Sequence, residues 1–236
     1  MNEYPKNHEL LEETIGYFFK DKTHLKTALT HSSYSNELKS KGVSEECNER
    51  MEFLGDSVLS LITTEYLFHH YPETAEGLLS KIRAATVSEK ALGIFAEAIS
   101  LGDYIFLGHG EDLSGGRTRI SLLADAYEAL LAAIYLDSGI DEVKKFLMPY
   151  ITSRIDEVVE KDISTDFKTQ LQQIVQQEHG EILHYEVVSE EGPPHDRTFT
   201  VKAYLNSNEI GVGKGHSKRE AEQAAARSAL TLFGEG

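Results

Sequence analysis

Two acidic segments carry residue types at spacings that could do chemistry. In Asn48-Glu49-Arg50-Met51-Glu52-Phe53-Leu54-Gly55-Asp56-Ser57, the acids Glu49, Glu52 and Asp56 fall at i, i+3 and i+7, on one stripe of a helix. Leu54, Val58 and Leu61 lie on the opposite side, so this segment alone reads as an amphipathic helix with a solvated acidic face. The second segment, residues 120–136, has Asp125 and Glu128 as its only charges and is apolar on nearly every side. Such a helix is normally buried, and an unpaired carboxylate inside it costs roughly several kcal/mol or takes up a proton.

Asp125 and Glu128 therefore need a partner. It is either a base from elsewhere, such as Lys81 or Arg83, or a cation. If Glu52 and Asp56 face Asp125 and Glu128, four carboxylates converge, which is more negative charge than two or three local bases neutralise. A divalent metal meets the requirement. All-oxygen ligation selects a hard ion, Mg²⁺ or Mn²⁺, which keeps waters and prefers phosphate oxygens as further ligands. Such a centre lowers the pKa of a bound water and stabilises charge on a phosphate, which points to phosphoryl chemistry. A buried ion-pair network is the alternative reading of the same acids.

A third segment is basic. Gly211 to Gly215 ends a strand, and Lys214, Lys218 and Arg219 gather where the following helix begins. Helix N-termini attract phosphate through free N–H groups and the dipole. Lys214 is followed by Gly rather than Ser or Thr, and Asn208 stands where a nucleotide P-loop needs its first glycine, so a P-loop is excluded.

Other candidates read as structural. Gly108 to Gly116 with Arg117 and Arg119 could be imagined as a phosphate cradle, but such loops more often only connect helices. His31, near a helix end, has no acid nearby in sequence, and a single cysteine, Cys47, can form neither an internal disulfide nor a thiolate cluster. A carboxylate-bridged di-iron bundle would need Glu-x-x-His pairs. The only one, Glu181 to His184, falls at a predicted strand.

The elements that must position these residues fall into two groups. Apolar spacing predicts helices near 7–18, 23–33, 47–71, 75–100, 119–138 and 140–161, with Pro72 ending the third. After Ser164 the pattern changes to a helix near 166–179, strands at 183–189, 198–205 and 209–213, and a helix over 217–233. Residues 190–196 form a loop and Asn206-Ser207-Asn208 a tight hairpin turn. The predicted fold is thus an all-α domain followed by a small α+β domain of αβββα order. Residues 7–139 form the first domain, 140–164 a helix and linker, and 165–234 the second.

Composition sets a constraint on partners. The net charge is −16, and dividing the chain after Lys161 leaves −11 in the first part and −5 in the second. Neither half is globally basic, so any nucleic-acid contact must be local. No apolar stretch is long enough to span a bilayer and the first residues lack a signal-peptide pattern, so a cytoplasmic protein without a membrane partner is expected.

On these residues the chain resembles the bacterial ribonuclease III family. Glu49-Arg50-Met51-Glu52-Phe53-Leu54-Gly55-Asp56-Ser57-Val58-Leu59 is similar to its signature, with Met51 in place of the usual Leu. Asp125-Ala126-Tyr127-Glu128 resembles its second acidic motif, and the segment around Glu76-Gly77 and Ser80 to Ala84 resembles the stretch between. The resemblance implies a Mg²⁺-dependent endoribonuclease, with Mn²⁺ able to substitute, that cuts double-stranded RNA to leave 5′-phosphates and short 3′ overhangs. Its targets would be ribosomal RNA precursors and some messages.

Glu52, Asp56, Asp125 and Glu128 would be the metal site, with Asp56 and Glu128 indispensable for hydrolysis and Glu49 and Glu76 accessory. The family resemblance implies a homodimer through the signature helices. The second domain resembles a double-stranded RNA-binding domain. By that resemblance Thr169, Gln172 and Gln176 contact RNA from the first helix, His195 from the loop, and Lys214, Lys218 and Arg219 meet phosphates. The rival within the same fold is a catalytically silent double-stranded RNA-binding protein.

Overall fold

The computed structural model describes residues 5–163, 167–176, 181–193 and 197–233, and for Gln173, Gln176 and residues 160–163 the backbone only. The chain divides into two compact units, Met1–Val158 and Val159–Gly236.

The first unit is helical: α1 (His8–Ile15), α2 (Lys22–Ala28), α3 (Ser32–Ser40), α4 (Glu49–His70), α5 (Glu76–Thr86), α6 (Glu89–Ala98), α7 (His109–Leu113), α8 (Ile120–Ser138) and α9 (Ile140–Ile163). The near-uniform apolarity of residues 120–136 makes α8 the centre. Its buried residues include Leu122, Ala126, Tyr127, Leu130, Leu131 and Ile134, and α4, α6 and α2 pack around it. Val143, Phe146, Leu147 and Ile151 of α9 join the same core. Each Leu or Ile so buried contributes about 1.5–3 kcal/mol relative to exposure, so this packing holds α8 and its two acids in place.

Helix limits differ from the periodic expectation where local chemistry intervenes. The helix predicted over 7–18 stops at Gly16, which takes the left-handed conformation with φ +67°. The helix predicted over 23–33 ends at Ala28, because Thr30 bridges to Phe106 and His31 becomes the cap of α3. Residues 75–100 form two helices rather than one. Ser88 turns extended there, and its hydroxyl accepts the Ala91 N–H. The helix predicted over 47–71 is α4 and ends at His70, with Tyr71 pushed out of helical geometry before Pro72. The glycine-rich stretch contains α7, a single short helix.

The second unit contains α10 (Phe167–Gln176), β1 (Leu183–Glu191), β2 (Thr198–Leu205), β3 (Asn208–Gly215) and α11 (Lys218–Leu230). The strands form one antiparallel sheet in the order β1-β2-β3. Leu205 pairs with Asn208, which leaves Asn206 and Ser207 as the turn. Asn206 adopts φ +54°, and its Oδ1 accepts the Ile182 N–H at 2.9 Å. Asparagine tolerates that conformation better than most residues. Val201 and Ala203 pack on Ala221 and Ala225 of α11, while Leu171 and Val175 of α10 meet Ala226, Ala229 and Leu230. β3 runs to Gly215 because Gly211, Gly213 and Gly215 let α11 lie directly on the strand. A Cβ at Gly213 would stand 2.1 Å from the Ala225 nitrogen.

Candidate functional site

α4 and α8 cross where Gly55 faces Glu128. An interior glycine lowers helix stability by about 1 kcal/mol relative to alanine. Here the missing Cβ is what lets the backbones meet: one added to Gly55 would stand 1.9 Å from the Glu128 carbonyl oxygen. The crossing brings Glu52, one turn before Gly55, to the residues one helical turn apart on α8, Asp125 and Glu128. Carboxylate oxygens of these three lie within 4.8 Å of one another.

Asp56 does not join that group of three. It is exposed, yet its charge acts on both Glu52 and Glu128. Glu49 is exposed as well and acts on Glu52. Glu76, exposed at the start of α5, accepts a hydrogen bond from the Ser80 hydroxyl at 2.7 Å.

Electrostatics mark the cluster as short of positive charge. Burial, then the charges of Asp56, Glu52 and Asp125, push the Glu128 carboxyl up to about 8. Burial and the neighbouring acids Asp125, Glu49 and Asp56 raise Glu52. Asp125 is raised by burial and Glu89, against a lowering by His31. Of the two bases considered as partners, Arg83 donates instead to the Thr64 hydroxyl at 3.2 Å, and neither Arg83 nor Lys81 is among the leading influences on the cluster. Carboxylates brought this close repel one another, and a hard cation between them removes the repulsion that protons otherwise relieve. The donor set, all oxygen and all acidic, fits Mg²⁺ or Mn²⁺.

Three participants escape sequence reasoning. Gly55 carries the helix crossing, a role that its place in the Glu49–Leu59 run does not by itself reveal. His31 does have the structural role assigned to it, since its Nδ1 accepts the Ser33 N–H at 3.2 Å and caps α3. Its acidic neighbour is Asp125, distant in sequence and close in space. Glu89, in the first turn of α6, acts on Asp125 and carries no motif.

The loop with Arg117 and Arg119 is a connector. Arg117 pairs with Asp112 and donates to the carbonyls of Gly102 and Ile105 at 2.9 and 2.8 Å, and Arg119 pairs with Glu111. Both guanidinium groups are engaged within the protein, which leaves the loop no cradle for phosphate.

In the second unit, Lys214 near the end of β3 and Lys218 and Arg219 in the first turn of α11 are all exposed. The helix start is fixed by Ser217, whose Oγ accepts the Glu220 N–H, while the Glu220 carboxylate accepts the His216 N–H at 2.8 Å. This is a close variant of a capping box. Lys218 Nζ lies 5.9 Å from the Phe199 ring centre. On α10, Thr169 and Gln172 are exposed, and the helix is fastened to α11 by the pair Lys168–Glu222 at 2.6 Å. Of the remaining residues expected to touch RNA, His195 and the Gln176 side chain lie outside the described residues.

Two family models match this chain: Ribonuclease-III-like over residues 21–155 and Double-stranded RNA binding motif over residues 167–232. Curated relatives named Ribonuclease 3 are similar along nearly all of it. The protein from Caldanaerobacter subterraneus is 49% identical over 224 residues, covering 95% of this chain and 97% of that one. The one from Clostridium beijerinckii is 47% identical over 223 residues, 94% of each chain. Among solved structures, the nuclease domain of ribonuclease III from Campylobacter jejuni is 42% identical with a TM-score of 0.57, covering 63% of this chain and 98% of that domain. The work on that domain concerned flexibility in a region involved in its dimer formation.

Proposed function

The chain belongs to the ribonuclease III family, and we propose that its acidic cluster holds Mg²⁺, with Mn²⁺ able to substitute, for hydrolysis of phosphodiester bonds. It is an endoribonuclease of that family, acting on double-stranded RNA. The observation that carries the metal reading is the convergence of Glu52, Asp125 and Glu128, all three half-buried, within 4.8 Å of one another.

In this reading Glu52, Asp125 and Glu128 would hold the ion directly, with Asp56 in the same site, where its charge already acts on Glu52 and Glu128. When bound, the ion supplies an activated water and stabilises charge on the phosphate and the leaving oxygen. Glu128, whose carboxyl burial and the neighbouring acids raise, would have to be deprotonated to serve as a ligand. Asp56 and Glu128 are the residues hydrolysis cannot spare. Glu49 and Glu76 lie outside the three and serve as accessory acids near the substrate or the dimer interface. The products are 5′-phosphate ends with short 3′ overhangs.

Residues 7–139 serve catalysis, 140–164 connect, and 165–234 bind the duplex. Thr169 and Gln172, with Gln176 and His195, reach minor-groove 2′-hydroxyls, while Lys214, Lys218 and Arg219 meet phosphates across the major groove. These bases answer the charge objection, because a duplex needs only a local positive patch.

The enzyme works as a homodimer through α4, in the cytoplasm, on ribosomal RNA precursors and some messages. Support for the dimer comes from Phe53, Leu61 and Phe68, which form an apolar stripe along α4 at 79%, 57% and 68% exposure. Among the described residues, no helix is long and apolar enough to cross a membrane.

The deciding experiment compares cleavage of duplex and single-stranded RNA with Mg²⁺ and with chelator. Duplex cutting that requires the ion is expected. Equal cutting in chelator, or none with Mg²⁺, overturns the proposal.

A further inference from the structure

Asn48 is 2% exposed, and its side-chain Nδ2 is buried without a hydrogen-bond partner. Its backbone is fully used. The N–H donates to the Thr30 carbonyl at 2.8 Å, and the carbonyl accepts the Glu52 N–H at 2.8 Å. With φ −77° and ψ −11° the residue is already helical, and its side chain makes no capping hydrogen bond to α4. A buried amide donor left unpaired costs about 1–3 kcal/mol, a cost that an apolar side chain of the same shape would avoid. Within the chain alone, the amide of Asn48 is a loss.

Its location supplies a reason. Asn48 precedes Glu52 by four residues of helical backbone, the spacing at which side chains are neighbours and an amide reaches a carboxylate. On its other side it is tied to Thr30, next to His31, which lies near enough to Asp125 to influence it. Asn48 thus joins the start of α4, one turn before Glu52, to the Thr30–His31 stretch.

We propose that Asn48 is a positioning residue of the acidic site, its Nδ2–H donating to one oxygen of the Glu52 carboxylate while the other oxygen turns toward a cation. The inference rests on the cluster being a cation site. Hydrogen bonds from the surroundings orient ligating carboxylates, and losing one typically weakens metal affinity by about 10–100-fold.

The test is Mn²⁺ binding to the full chain without RNA, read from the loss of the free-ion paramagnetic resonance signal. Asn48→Leu removes the amide at similar size. Asn48→Ser, a good residue at a helix start, is too short to reach Glu52 and decides the matter if the leucine variant fails to fold. Both are expected to bind Mn²⁺ at least about tenfold more weakly than the parent. Without divalent ions, Asn48→Leu should melt no lower than the parent, where a purely structural asparagine would be missed. Unchanged Mn²⁺ affinity in the folded variants overturns the role of Asn48 and leaves the cluster intact. Failure of the parent chain to bind Mn²⁺ overturns both.

Discussion

Gly55 of α4 and Glu128 of α8 share one point of space, where a Cβ on the glycine would stand 1.9 Å from the glutamate's carbonyl oxygen and 2.5 Å from its carbonyl carbon. The obstacle is backbone, which cannot swing aside as a side chain would. The separation of the two helices, and so the distance from Glu52 to Asp125 and Glu128, is set by the smallest residue of the segment. A residue without a side chain thereby governs where three charged side chains meet.

Gly55→Ala is the first consequence. The added methyl forces α4 and α8 apart, and overpacking of this kind costs about 1–3 kcal/mol or more. Displacement of the acids by about an ångström should lower the cleavage rate at least about 100-fold. Thermal unfolding and single-turnover cleavage of duplex RNA measure the two effects. A variant that cuts at the parental rate would show that the crossing does not set the site.

Glu128→Gln removes one carboxylate while keeping its shape. Duplex RNA should still bind, as read by gel shift, and should not be cut. Cleavage by this variant at the parental rate would remove Glu128 from the site.

The same residue predicts a pH dependence. With its carboxyl raised from 4.5 to about 8, folded Glu128 holds a proton that the unfolded chain releases. Without divalent ions its contribution therefore favours the folded state below about 4.5 and is lost as pH rises toward 8. Glu128→Gln should flatten that slope and raise the melting temperature at pH 8. Cation affinity in the parent should grow over the same interval, with release of protons. Parallel stability profiles for the two proteins would contradict the shift.

Lys218→Ala combined with Arg219→Ala tests the local patch. Both side chains are exposed, and the cap made by Ser217 and Glu220 remains, so the fold should hold. Duplex binding should weaken, and the slope of its logarithm against that of salt concentration should fall by about one to two. An unchanged salt titration would place the phosphate contacts elsewhere.

Arg117→Ala separates a connector from a cradle. Arg117 holds Asp112 and two backbone carbonyls, and Asp112 is partly exposed, so loss of the arginine should destabilise the fold by roughly 1–3 kcal/mol, chiefly through the carbonyls left unpaired. RNA affinity, measured below the lowered melting point, should be unchanged. Normal stability with lost RNA binding would reverse the assignment.

Much of this was legible in residue order, because periodicity is a local property. The apolar continuity of residues 120–136 marked α8 as central, and the change after Ser164 marked a second fold. The failures were local too. Ser88 and His31 end one helix and begin another through a single side-chain hydrogen bond, a signal that apolar spacing does not contain.

The site divides along the same line. Sequence alone determined that Asp125 and Glu128 would be drawn toward the interior and need compensation, since an apolar helix must hide from water on nearly all sides; in the fold both end up half-buried. Only the tertiary structure decided which acids meet them. It gathered Glu52 into the group and left Asp56 beside it, and it brought the charges of Glu89 and His31 to bear on Asp125. Burial and Coulomb's law act through space, and the distances they depend on exist only once α4 has closed on α8 at Gly55.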